Sequence, residues 1–154
     1  MDITEVPFNK FLGVERANGD AGCLLRLGDS PSFQNHLGMV HAGVQLALAE
    51  ASSGECLLQR FPDFAAGVLA VVRRLEAKFK NPLKGTIKSR ATISQEDADK
   101  LVESLRTKGR GFITVDVEVV GADGIVGLAS TVEWFVQKQQ TQTSSSPCGS
   151  PTLG

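Results

Sequence analysis

The run His41 to Phe61, HAGVQLALAEASSGECLLQRF, limits the fold more than any other stretch of the chain, and Pro62 stops it. It reads as the single long helix. No charged residue precedes Glu50 in it, and small residues (Ala42, Gly43, Ala47, Ala49, Ala51 to Gly54) are mixed with Val44, Leu46, Leu48, Leu57 and Leu58. A helix that is apolar on nearly every side has to be buried. Its small side chains let a sheet approach its backbone closely.

That sheet is written on both sides of the helix. Upstream, Pro7 to Gly13 reads as a helical turn closed by glycine. Val14–Arg16 and Cys23–Leu27 read as short strands around the turn segment 17–22. Downstream, Val71–Lys80, Ile87–Ile93, Ile113–Val120 and Ile125–Val136 all alternate apolar and polar residues. The last two form a hairpin across Gly121–Ala122–Asp123–Gly124. Gln95 to Lys108 is charged and reads as a helical turn and loop. The order predicts an α+β domain in which an antiparallel sheet of five to six strands wraps one long central helix. One helix cannot cover such a sheet from edge to edge, and an uncovered edge invites pairing with a second copy.

The chain has 154 residues, which is one domain. The expected boundary falls after Val136, because residues 137–154 are polar, rich in Ser, Gln and Thr, and expected to be disordered. Sixteen Lys and Arg against 17 Asp and Glu leave a net charge of −1, which argues against a nucleic-acid partner. No apolar run is long enough for a membrane span. The first residues carry Asp2 and Glu5 and no basic stretch, so no signal peptide is expected. Cys23, Cys56 and Cys148 fit neither a disulfide framework nor a metal site, which points to a reducing, cytoplasmic setting.

Chemistry concentrates at the entrance to the long helix. Asn35, His36 and His41 lead into it, and Glu50 lies within it. Apolar neighbours should raise the Glu50 pKa, making it a candidate general base or nucleophile. Alternatively it pairs with Arg73 or a backbone donor, or reaches solvent. His41 and Glu50 are nine residues apart. That places them on opposite helix faces about 13 Å apart, so they cannot form a dyad within one chain. His41 then fixes the loop, while the Ala42 and Gly43 N–H groups are free helix-start donors suited to a developing oxyanion. Gly43 also lets a ligand come near. Asn35 either orients a water or carbonyl, or makes a local turn bond. His36 is a loop histidine or a ligand contact. Arg73, Lys78, Lys80 and their neighbours put positive charge on the strands after the helix. They form either a solvated face or a strip for ligand phosphates. Metal clusters, phosphate loops and dinucleotide fingerprints are not seen, and no cofactor is expected.

The pattern Asn35-x-x-Gly38-x-x-His41-Ala42-Gly43-x(6)-Glu50 resembles the signature of the hotdog-fold acyl-CoA thioesterases of the phenylacetate-degradation type. It is closest to a subgroup of unassigned function. The resemblance covers about residues 7–136 and implies a hotdog fold. It implies Glu50 as the catalytic carboxylate, Asn35 as the residue placing water or substrate, and the Ala42 N–H as the donor to the thioester carbonyl. His36, His41, Gly43, Arg73, Lys78 and Lys80 are then expected around an acyl-CoA substrate. The family's site lies between subunits of a homodimer or a dimer of dimers, which would remove the obstacle of intrachain distance. Two positions depart from the pattern. Ala42 stands where relatives have Gly, and Val71–Val72–Arg73 offers no hydroxyl where some have Ser or Thr. Two alternatives stay open. One is a non-catalytic acyl-CoA-binding hotdog protein. The other is a hydroxyacyl-thioester dehydratase using His36 and Glu50, although the prolines that shape that loop are missing.

Overall fold

A computed structural model describes residues 1–19 and 22–140. A 3-10 turn at Ile3–Glu5 leads into helix α1 (Pro7–Leu12), strand β1 (Glu15–Arg16) and strand β2 (Leu25–Leu27). After a second 3-10 turn (Pro31–Phe33) come the long helix α2 (Ala42–Arg60) and one turn of helix, α3 (Phe64–Gly67). Strands β3 (Val68–Phe79) and β4 (Ile87–Thr92) follow, then α4 (Gln95–Lys108), β5 (Arg110–Gly121) and β6 (Val126–Lys138). The six strands form one antiparallel sheet in the order β1-β2-β4-β5-β6-β3, wrapped on α2. This is the hotdog architecture. Asp20 and Ala21, in the expected turn, and residues 141–154, most of the expected tail with Cys148, lie outside the described residues. β6 runs two residues past the expected boundary at Val136.

Helix α2 is held by apolar packing and by three hydroxyls. Leu48, Ala49 and Ala51 are fully buried against Leu25, Ile87, Val115 and Val117 of the sheet. Each buried aliphatic side chain of Leu or Val size contributes roughly 1.5–3 kcal/mol. The Ser52 hydroxyl donates to the Leu48 carbonyl (2.7 Å) and shares a short hydrogen bond with Ser89 of β4. Ser53 accepts from the Trp134 indole N–H (2.9 Å). Small side chains at 52 to 54 thus bring β4 and β6 against the helix backbone and satisfy the polar groups that this buries.

Gln95–Lys108 is a full helix rather than a turn and loop. The Ser94 hydroxyl caps it by accepting from the Asp97 N–H (3.1 Å), acids occupy its first turn and bases its last, and Gly109 closes it at φ 69°. Only Ala98, Leu101 and Leu105 are buried, forming a narrow stripe against β5.

Strand β3 has only β6 as a neighbour and forms a free edge. A bulge between Val72 and Arg74 shifts its register. The bulge takes Arg73 out of the alternation of the strand. Leu69, Val71, Val72 and Phe79 are large apolar side chains left exposed along this edge.

Candidate functional site

The segment before α2 is pinned at both ends. The Val40 N–H donates to the Leu83 carbonyl (2.9 Å) and the His41 N–H to the Phe33 carbonyl (2.7 Å). Between these points Asn35 folds the loop on itself. Its Oδ1 accepts from the N–H groups of Leu37 (2.9 Å) and Met39 (3.1 Å). The local turn bond expected for Asn35 is therefore present. It leaves Nδ2 as the group Asn35 can offer a ligand.

His41 is the N-cap of α2. Its Nδ1 accepts from the Gly43 N–H (2.9 Å), so in the neutral ring the proton sits on Nε2. A Cβ at position 43 would lie 3.1 Å from that Nδ1. Glycine at 43 thus makes room for the capping ring. The expectation of two free donors is corrected: the Gly43 N–H is taken by His41, and the Ala42 N–H remains.

Beside this helix start lies a depression of about 310 Å³. Asn35, Ala42, Gln45, Phe79, Lys80 and Asn81 are among its lining residues. It therefore joins the loop and the N-terminus of α2 to the end of the free edge strand. Gln45, Phe79 and Asn81 were not anticipated from the sequence. Gln45 did leave a signal there: it is the one polar side chain between His41 and Glu50, and one turn from Ala42.

Glu50 lies elsewhere on the helix. It belongs with Leu46 and Ala47 to a half-exposed stripe that starts at the exposed Gly43, turned away from the buried stripe of Gln45, Leu48, Ala49 and Ser52 that meets the sheet. Its carboxylate is half-buried, and burial alone pushes its pKa up. Among the described residues the carboxylate has neither a hydrogen bond nor an ion pair, while the Glu50 backbone carbonyl accepts from the Ser53 hydroxyl (2.7 Å). The anticipated Arg73 partner is engaged elsewhere: Arg73 Nε is 3.8 Å from Glu133 and its guanidinium lies 4.5 Å from the Phe112 ring centre. Eight residues separate Glu50 from Ala42, which is about 12 Å along the axis.

The remaining candidates disperse. His36 is exposed and outside the depression. Lys80 lines the depression, whereas Lys78 joins Arg90, Asp116 and Glu118 at a separate hollow on the outer face of the sheet. Lys78 and Lys80 thus line different hollows. Among the described residues no group of His, Cys, Asp or Glu could hold a metal ion, and no helix is long and apolar enough to cross a membrane.

Residues 13–136 match the model of a family described as a domain of unknown function, DUF4442. The chain belongs to that family. Among curated proteins none matches this DUF4442 chain significantly. Solved structures do. A Pseudomonas aeruginosa protein of unknown function, described as a probable thioesterase, is 22% identical with a TM-score of 0.74, over 89% of this chain and 91% of its own. A thioesterase from Haemophilus influenzae is 17% identical with a TM-score of 0.67, over 92% of this chain and 90% of its own. A Bacillus halodurans protein solved with CoA is 25% identical with a TM-score of 0.58, over 73% of this chain and 69% of its own. The DUF4442 chain thus has the hotdog fold of structures that include thioesterases and a CoA-bound protein.

Proposed function

We propose that this protein is an acyl-CoA thioesterase whose site is assembled from two copies of the chain. The observation that carries this is Glu50: a half-buried carboxylate, unpaired among the described residues, on the helix face turned away from the sheet. Holding it there costs stability with nothing structural in return. The CoA found in the Bacillus halodurans relative supports a CoA thioester as the ligand class.

Glu50 cannot serve the Ala42 N–H of its own chain across about 12 Å. A second copy docked along the free β3 edge, where Leu69, Val71, Val72 and Phe79 are exposed, supplies the missing half. Glu50 of one copy then faces the depression bearing Asn35 and Ala42 of the other.

In that frame the Glu50 carboxylate takes a proton from water as its oxygen attacks the thioester carbonyl carbon. The carbonyl electron pair moves onto oxygen, held by the Ala42 N–H and the Asn35 amide. Collapse of this oxyanion breaks the C–S bond, and the thiolate takes the proton back from Glu50. The products are the free acid and CoA thiol. The raised Glu50 pKa suits a group that both accepts and returns a proton.

The test is thiol release from a panel of short, medium, long and aromatic acyl-CoAs. At least one should be hydrolysed. Thermal protection by acyl-CoA with no thiol released from any would instead indicate a binding module. A conjugated acyl product without thiol from an added 3-hydroxyacyl-CoA would instead indicate a dehydratase.

A further inference from the structure

We infer that Gln45 accepts a hydrogen bond from an amide N–H in the thiol-bearing arm of CoA, and so sets where along α2 the thioester rests. The inference builds on the CoA-thioester reading above. Gln45 is 4% exposed. Its Nε2 donates to the Val40 carbonyl (3.2 Å), which fixes the sense of the amide, while its Oε1 is enclosed and accepts from nothing among the described residues. Buried polar atoms are nearly always paired, and an orphan at the wall of a depression calls for an explanation.

The position of Gln45 supplies one. It follows Ala42 by three residues. That is about 4.5 Å along the axis and about 60° around it, so both belong to one flank of the helix. Both line the depression. In a CoA thioester only the sulfur and two methylenes separate the acyl carbonyl carbon from the first amide nitrogen, a reach close to one helical turn. A carbonyl held at the Ala42 N–H therefore carries that amide N–H to Gln45. Of the two other side-chain amides lining the depression, Asn35 has its Oδ1 occupied by two backbone donors, and Asn81 is exposed with its Nδ2 held by the Val126 carbonyl (2.8 Å). Engagement needs the Gln45 amide to turn towards the depression, which strains or breaks its Nε2 bond to the Val40 carbonyl and gives the enclosed oxygen a donor in exchange.

The experiment titrates the full chain calorimetrically with CoA and with adenosine 3′,5′-bisphosphate, which keeps the nucleotide end and lacks the arm. Gln45→Met keeps length and removes the acceptor. It should weaken CoA about threefold to tenfold, the range of one net hydrogen bond, and leave the bisphosphate unchanged. Its melting temperature should change little, because the unpaired oxygen is gone but so is the Nε2 bond to the Val40 carbonyl. Gln45→Leu, the second variant should Met disturb packing, should behave alike. Unchanged CoA binding, equal weakening of both ligands, or a wild type that binds neither overturns the inference. So does dissociation of an oligomer in either variant, which would make the second copy the donor. Thiol release is measured separately. CoA binding that depends on Gln45 in a protein that hydrolyses nothing supports the inference and removes the thioesterase. Hydrolysis alongside binding indifferent to Gln45 does the reverse.

Discussion

Glu50→Gln should lower thioester turnover at least about 10²-fold, the lower range for removing a positioned acid–base group, while melting no earlier than the wild type. Glutamine keeps the volume and the hydrogen-bonding capacity and loses only basicity. The carboxylate has no partner to forfeit, so the charge is a burden that Gln relieves. The sign with pH follows from the direction of the shift. Burial raises the folded-state pKa above that of the unfolded chain. Protonated Glu50 therefore costs nothing below the ordinary carboxylate range, and wild-type stability falls as pH rises through the raised value. The stability advantage of Gln should accordingly be absent in acid and appear towards neutral pH. Thermal melts of both proteins across that range, beside kcat on one substrate, check the two halves. Intact turnover with an earlier melt would make Glu50 a structural residue.

Ala42→Pro should cost a comparable or larger factor, about 10²–10³-fold in kcat, the range for deleting one oxyanion donor. The substitution is unusually selective at this position. Ala42 is the first helical residue, where proline is favoured because its missing N–H has no partner inside the helix. The residue before a proline must be extended, and His41 already is, at φ −60° and ψ 140°. The Gly43 N–H on His41 is untouched. The helix should therefore survive with its one uncommitted donor removed. An unaltered circular dichroism spectrum with kcat near wild type would strip Ala42 of its role.

The fold is legible where residues speak through period and punctuation. Residues 41–61 read as a buried helix because nothing charged interrupts them, and the alternation in 87–93 and 113–136 gives three strands in their observed places. Helix α4 escapes because its apolar stripe is only Ala98, Leu101 and Leu105 amid ten other polar or charged positions and Val102. Its caps, Ser94 with Asp97 and the closing Gly109, were nonetheless present in the sequence. The bulge at Arg73 could not be read, because one extra residue in a strand leaves no mark beyond a break in parity that charge alone also explains. At the helix entrance the motif marks Asn35 and Ala42, but their placement depends on loop closure through the Phe33 and Leu83 carbonyls, and Leu83 is remote in sequence with no local signature. Gln45 stands out in the sequence only as a lone polar residue in an apolar stretch; that its oxygen is enclosed without a partner depends on tertiary packing.

The most direct test of a site shared between two copies is complementation. Glu50→Gln and Ala42→Pro chains are co-expressed with different affinity tags, and dimers carrying both tags are purified. In a shared site one of the two centres in such a hybrid bears both defects and the other bears none. The hybrid should therefore recover about half of the wild-type turnover, as two-fold symmetry requires, although each parent is at least about 10²-fold impaired. Hybrid turnover no higher than that of the better parent, or the absence of any dimer carrying both tags, would contradict a site built from Glu50 of one copy and Ala42 of the other.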